Sequence, residues 1–145
     1  MKASALLLAT LLLTACGNRT ETAVITQLDG SPFMLEEAIA GKPTIINFWA
    51  SWCPFCKTEL PAFQSVSDEH SELEVIAINL QEDKEVAEQY WQNGGYTFTR
   101  VLDPNAELKA KFKVFTQPTT IFIDERGEII ERRDGPLTEI GRAHV

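Results

Sequence analysis

Apolar and polar residues fall into short blocks whose spacing changes along the chain. Two blocks, Thr44-Ile45-Ile46-Asn47-Phe48-Trp49 and Leu73-Glu74-Val75-Ile76-Ala77-Ile78-Asn79-Leu80, are apolar on both faces. Such runs read as buried central strands, the first of them parallel to a neighbour. Residues 24–28 are strand-like, Asp29-Gly30 marks a hairpin turn and Phe33-Met34-Leu35 would return from it. A short helix is expected over 35–40, stopped by Gly41 and Pro43. A long helix is expected from about Cys53 to His70, with Pro54 in its first turn and a kink at Pro61. A further helix covers 83–92 and ends at Gly94-Gly95. After a strand at 98–102, Asp103-Pro104-Asn105 turns the chain into a helix over 106–112. The closing pair of strands, 119–124 and 128–133, forms a hairpin about Arg126-Gly127. The alternation predicts an α/β fold, a central mixed sheet flanked by helices, with no internal repeat.

Composition narrows the class. The chain has 145 residues, 44% hydrophobic and 23% charged, which suits one globular domain. Its formal charge of −8 excludes a basic nucleic-acid-reading face. Three cysteines, Cys16, Cys53 and Cys56, are too few to staple a fold, so a packed core must carry stability.

The first fifteen residues read as a leader. Met1-Lys2 opens a short apolar run far below the ~20 residues that span a bilayer, as in the core of a secretory signal. Its end, Leu13-Thr14-Ala15-Cys16, resembles a bacterial lipobox, which implies cleavage before Cys16 and a lipid on its thiol. Without Lys2 the chain carries 12 basic and 21 acidic residues, so a membrane would be held through acyl chains. Residues 16–22 are polar and read as a tether of at most ~20 Å beyond the anchor.

The chemistry concentrates in Cys53-Pro54-Phe55-Cys56. A Cys-x-x-Cys that opens a helix after a strand reads as a redox dithiol. Helix N-terminal amides favour negative charge, so Cys53 should be the attacking thiolate and Cys56, one turn deeper, the resolving thiol. On a regular helix the two Cβ atoms stand ~5–6 Å apart, against the ~3.5–4.5 Å of a disulfide. The first turn is therefore expected to tighten on oxidation, making the bond easier to reduce. A zinc half-site and an inert disulfide are the competing readings; zinc needs four ligands and only Cys16, His70 and His144 remain. No metal or other cofactor is expected.

With the segment Phe48-Trp49-Ala50-Ser51-Trp52-Cys53-Pro54-Phe55-Cys56-Lys57, the later Gln117-Pro118-Thr119-Thr120 and Glu59-Leu60-Pro61, the chain resembles the membrane-anchored TlpA/ResA-like thiol–disulfide oxidoreductases of the thioredoxin superfamily. The resemblance covers residues 24–138 and implies a thioredoxin-like domain over 23–138 with an N-terminal β-hairpin extension. It implies a cis peptide at Pro118, where the Gln117 backbone would pair with a substrate strand. Ordinary thioredoxins place a buried Asp where this chain has Asn47, and an amide cannot take a proton. Glu59, one turn beyond Cys56, is the candidate to move the Cys56 proton, the alternative being a solvated helix glutamate. The implied activity is reduction of disulfides in exported proteins, apocytochrome c among them, with a membrane redox partner recharging the dithiol. A thiol oxidase of the same compartment and a non-enzymatic lipoprotein are the other readings.

Around the pair, Trp52, Pro54 and Phe55 are candidate substrate contacts. Trp49, Tyr90, Trp91 and Phe112 read as core, and Lys57 as an exposed helix lysine. Glu131-Arg132-Arg133-Asp134 reads as a solvated strand end. The resemblance also implies a closing helix after Gly135-Pro136-Leu137-Thr138. Only residues 139–145 follow, too few for that helix, and they read as a non-native tail, seven residues that a sequencing-adapter read-through can also encode.

Overall fold

In the computed structural model, residues 25–137 are described. The expected leader, Cys16 with its tether, and residues 139–145 lie outside them. The elements are β1 (Thr26–Gln27), α1 (Leu35–Ala38), β2 (Thr44–Trp49), α2 (Pro54–Glu69), β3 (Glu74–Leu80), α3 (Lys84–Gly94), β4 (Thr99–Asp103), α4 (Glu107–Lys111), β5 (Thr119–Ile123) and β6 (Ile129–Asp134). They build one six-stranded sheet in the order β1-β4-β3-β2-β5-β6.

The two apolar blocks of the sequence are its two central strands. β2 and β3 run parallel, as do β3 and β4, while β5 and β6 are added antiparallel. Every residue of β2 is buried. Side chains alternate across a strand, so β2 serves both faces of the sheet. On one face Ile45 and Trp49 pack with Val75, Ala77, Cys56, Leu60 and Phe63 of α2, and Ala87 and Trp91 of α3. On the other face Ile46 and Phe48 pack with Ile76, Ile78 and Ile121, under Leu35 of α1 and Leu108 of α4. Asn47 shares the α2 face with Ile45 and Trp49. A polar side chain is thereby inserted into a core of aromatic and aliphatic groups.

Local differences from the expectations have local causes. The N-terminal hairpin is short: Gln27 N–H donates to the Ser31 carbonyl (2.8 Å) and Phe33 N–H to the Ile25 carbonyl (2.9 Å), on either side of the bridge between Thr26 and Pro32. β1 also pairs with β4, Thr26 opposite Leu102. α2 runs from Pro54 to Glu69 with Pro61 inside it, one residue shorter at each end than expected. α3 stops where Gly95 takes a left-handed conformation, φ 66°, that favours glycine over residues with a Cβ. α4 begins at Glu107 because the carboxylate of Asp103 receives the N–H groups of Glu107, Leu108 and Lys109.

Candidate active site

The dithiol stands at the end of β2. The chain leaves Trp49, turns through a hydrogen bond from the Cys53 N–H to the Ala50 carbonyl (3.1 Å), and enters α2 at Pro54. Pro54 fits the first turn because no N–H is needed there. Cys53 is the N-cap of α2, in an extended conformation (φ −84°, ψ 110°), and its sulfur accepts the N–H of Cys56 at 3.2 Å. Cys53 and Cys56 form a disulfide with their Cα atoms 5.3 Å apart.

This corrects one expectation. Cys53 is not inside the helix, so no helical turn has to tighten for the two sulfurs to meet. The N-cap position supplies the approach by itself. Both cysteines are buried, Cys53 by 97% and Cys56 completely, whereas Trp52 and Phe55 are 63% and 58% exposed. The disulfide is therefore buried while the neighbouring aromatic side chains are exposed. Pro54 is exposed beside them.

The second wall comes from the start of β5. The Gln117–Pro118 peptide is cis. Phe48 pairs with Thr119 across the β2–β5 ladder, so one further step of that register sets Pro118 opposite Trp49. The proline loop and the dithiol turn thus share one end of the sheet. Pro118 is buried and Gln117 half-buried. The loop is held from β6 and beyond. Arg132 donates to the carbonyls of Phe112 (2.6 Å) and Lys113 (3.0 Å) and to Asp134. Thr119 donates to the Thr116 carbonyl (2.8 Å) beside Asp134, and Gly135 N–H donates to the Pro118 carbonyl (2.8 Å). Part of what reads as a solvated strand end therefore braces the proline loop. Phe115, in that loop, is 89% exposed and was not singled out by sequence.

Glu59 lies on the buried side of α2, 1% exposed, one helical turn from Cys56. It is not the solvated glutamate of the alternative reading. Its Oε1 accepts the Leu137 N–H (2.5 Å), and its Oε2 accepts a long contact from Asn47 Nδ2 (3.4 Å). Asn47 Nδ2 also reaches Thr120 Oγ1 at 3.0 Å. Burial pushes the Glu59 carboxyl above the ordinary glutamate range, and the Leu137 and Asn47 donors only partly pull it back. Among the described residues, Asn47 Oδ1, Trp49 Nε1 and Asn79 Oδ1 are buried without partners.

Other candidates fall into place around this core. Trp49 and Trp91 are buried and pack with their rings 5.6 Å apart and tilted by 45°, and Tyr90 and Phe112 are half-buried beside the two cores. Lys57 lies over the Tyr90 ring at 5.6 Å. His70 pairs with Glu72. Among the described residues no group of three His, Cys, Asp or Glu side chains is placed to hold a metal ion. Sequence reasoning missed Glu82. Its carboxylate accepts from Ser51 N–H, Ser51 Oγ and Asn79 Nδ2, all at the base of the dithiol turn.

A mixed sheet with helices on both faces, a dithiol at a helix N-terminus and a cis-proline loop across from it define a thioredoxin-like protein. The chain belongs to the Redoxin family, whose model matches residues 15–143. It is 39% identical over 103 residues to the sporulation thiol-disulfide oxidoreductase A of Bacillus subtilis, covering 68% of this chain and 62% of that protein. It is 37% identical over 114 residues to the thiol-disulfide oxidoreductase ResA of Oceanobacillus iheyensis, covering 77% of this chain and 59% of that protein. The chain thus spans about three-fifths of the length of both relatives. Among solved structures it resembles a secreted Mycobacterium tuberculosis disulfide oxidoreductase, with TM-score 0.72 and 26% identity over 78% of this chain and 83% of that one.

Proposed function

We propose that this chain is an extracytoplasmic thiol–disulfide oxidoreductase that reduces disulfides in exported proteins. The observation that carries the reading is Cys53 at the N-cap of α2, its sulfur already taking a backbone N–H and disulfide-bonded to Cys56. The same amide and the helix dipole stabilise a thiolate there.

The cycle begins from the reduced dithiol. Cys53 thiolate attacks one sulfur of a substrate disulfide, forming a mixed disulfide and releasing the other substrate sulfur as a thiolate. Cys56 then loses its proton and attacks Cys53 Sγ. The bond between Cys53 and the substrate breaks, and the second substrate thiolate leaves. Two electrons have passed to the substrate, and Cys53–Cys56 is again a disulfide. A membrane dithiol donor returns two electrons by the reverse exchange: Glu59 gives its proton back to Cys56, Cys53 is left as a thiolate, and the donor's two protons balance those taken up from water by the two released substrate thiolates.

Glu59 takes the Cys56 proton. Its burial on the same helix, and its carboxyl raised above the ordinary glutamate range by that burial, suit it to accept a proton and return it. Asn47, at the position of the thioredoxin aspartate, orients Glu59 and does not replace it. Substrate lies against Trp52, Pro54 and Phe55 on one side and the Gln117–Pro118 backbone on the other, with a strand-like segment paired to Gln117. Exposed Phe115 enlarges that apolar wall.

The lipobox-like Leu13-Thr14-Ala15-Cys16 and the secreted relative support export, with a lipid on Cys16 as the anchor. Among the described residues no helix is long and apolar enough to cross a membrane. Within exported substrates, apocytochrome c is the one the family resemblance offers.

The test is trapping. Cys56→Ala, expressed with its leader, should accumulate mixed disulfides on Cys53 that mass spectrometry identifies as exported proteins. Partners bound to Cys56 in Cys53→Ala instead would reverse the roles. An equilibrium with glutathione lying at the oxidising end of the known range, near ~−120 mV, would turn the enzyme into an oxidant.

A further inference from the structure

We propose that Glu82 is a positioning residue for Cys53, pinning the turn that carries the nucleophile. The inference rests on the oxidoreductase reading above and adds a residue to it. Ser51 is the second residue of the Ala50–Cys53 turn, two positions before the reactive sulfur. A turn joined only by its single backbone hydrogen bond leaves Cys53 free to tilt. Ser51 is instead held twice by one carboxylate, through its N–H (2.7 Å to Oε2) and its hydroxyl (2.5 Å to Oε1). The carboxylate is held in turn by Asn79 Nδ2 at 2.6 Å. Asn79 pairs in register with Trp49, the last residue of β2, so the clamp is built on the rigid centre of the sheet.

The backbone is shaped for this clamp. Gln81, between β3 and Glu82, takes a left-handed conformation at φ 56°, a costly choice for a residue with a Cβ. It donates its N–H to the Asp103 carbonyl at 3.3 Å. Three donors on one half-buried carboxylate are charge-assisted bonds, stronger than neutral ones. Thiol–disulfide exchange needs the attacking sulfur held in line with the disulfide it attacks, so small misplacements are felt in rate. Nothing in this network touches a sulfur. Glu82 acts on Cys53 through Ser51.

The experiment measures exchange of the reduced full-length protein with oxidised glutathione, each variant being assayed below its own melting temperature. Ser51→Ala and Glu82→Gln should each slow exchange about tenfold, one charge-assisted bond lost or weakened in each. Ser51→Thr keeps the hydroxyl and should restore the wild-type rate. The double variant Ser51→Ala/Glu82→Gln should lose less than the sum of the two singles, because both act on the same Ser51 hydroxyl–carboxylate contact. Additive losses in the double variant, or no rescue by Ser51→Thr, overturn the inference and leave Glu82 a stabiliser of β3. Wild-type protein that exchanges while all variants match it overturns the inference alone. Wild-type protein that does not exchange overturns the oxidoreductase reading and this inference together. Should Glu82→Gln fail to fold, the Ser51→Ala and Ser51→Thr pair decides the matter, equal rates counting against the proposal.

Discussion

Two carboxylates are buried to the same degree, Glu59 and Asp103, each 1% exposed, yet their surroundings differ. Asp103 ends β4 and receives three backbone N–H groups from the first turn of α4, at 2.7, 3.2 and 2.8 Å. Its negative charge meets the positive end of a helix, and both oxygens are used. Glu59 receives one backbone N–H and one long amide contact. Burial therefore dominates at Glu59 and pushes its carboxyl upward. What separates the two is the supply of donors: three backbone N–H groups at Asp103, one backbone N–H and one long amide contact at Glu59.

Breaking that contrast at Glu59 should give the largest effect. Glu59→Gln should slow resolution of the mixed disulfide about 100-fold, the lower range of general acid–base catalysis, read as release of the second substrate thiol. Asp103→Asn should leave the rate per folded molecule unchanged. An unaltered rate and pH profile in Glu59→Gln would remove the glutamate from the mechanism.

The second effect is on stability and falls on the other carboxylate. Asp103→Ala should lose about 2–4 kcal/mol in urea unfolding, because three helix-start donors lose a charged acceptor. A loss no larger than that of an exposed helix cap would show that α4 is held by packing instead.

The third effect is a pH dependence with a fixed sign. A carboxyl raised on folding keeps its proton when the unfolded chain has released it, so the native state binds more protons. Its contribution is full below the unfolded value and is lost as pH rises through the raised folded value. Across that interval the wild type should lose stability relative to Glu59→Gln. A difference that grows in the wild type's favour with rising pH contradicts the assignment. The smallest effect belongs to Thr120→Val, which removes the better of the two Asn47 amide contacts. It should cost about 1 kcal/mol, visible as a drop in melting temperature.

The parts of this contrast were unevenly legible in the sequence. Cys53 and Cys56 announce themselves because their partners are three residues apart on one local element. Pro118 and Glu59 became legible through motifs that resemble a family. β2 and β3 could be read because a strand buried on both faces must be apolar throughout. Glu82 meets Ser51 across 31 residues, and Glu59 meets Leu137 across 78. Such pairings depend on which strand ends the sheet brings together, and no periodicity encodes them. Arg132 was misread for the same reason. Its charge is ordinary for a strand end, and only the loop it reaches makes it a brace. The tight helical turn expected for the disulfide failed on one residue, since an N-cap is a neighbour of the helix and obeys different dihedrals.

That N-cap has a thermodynamic consequence. When Cys53 is a thiolate, α2 begins with an anion at its positive end; when Cys53 is in the disulfide, the cap is a neutral sulfur. Reduction and helix capping are therefore linked equilibria, and linkage is reciprocal. Anything that steadies the first turn through its thiolate cap pulls electrons onto the dithiol, and anything that frays it returns them. Lys57 and Thr58, exposed near that helix end, are positions where substitution would shift the redox poise through helix stability.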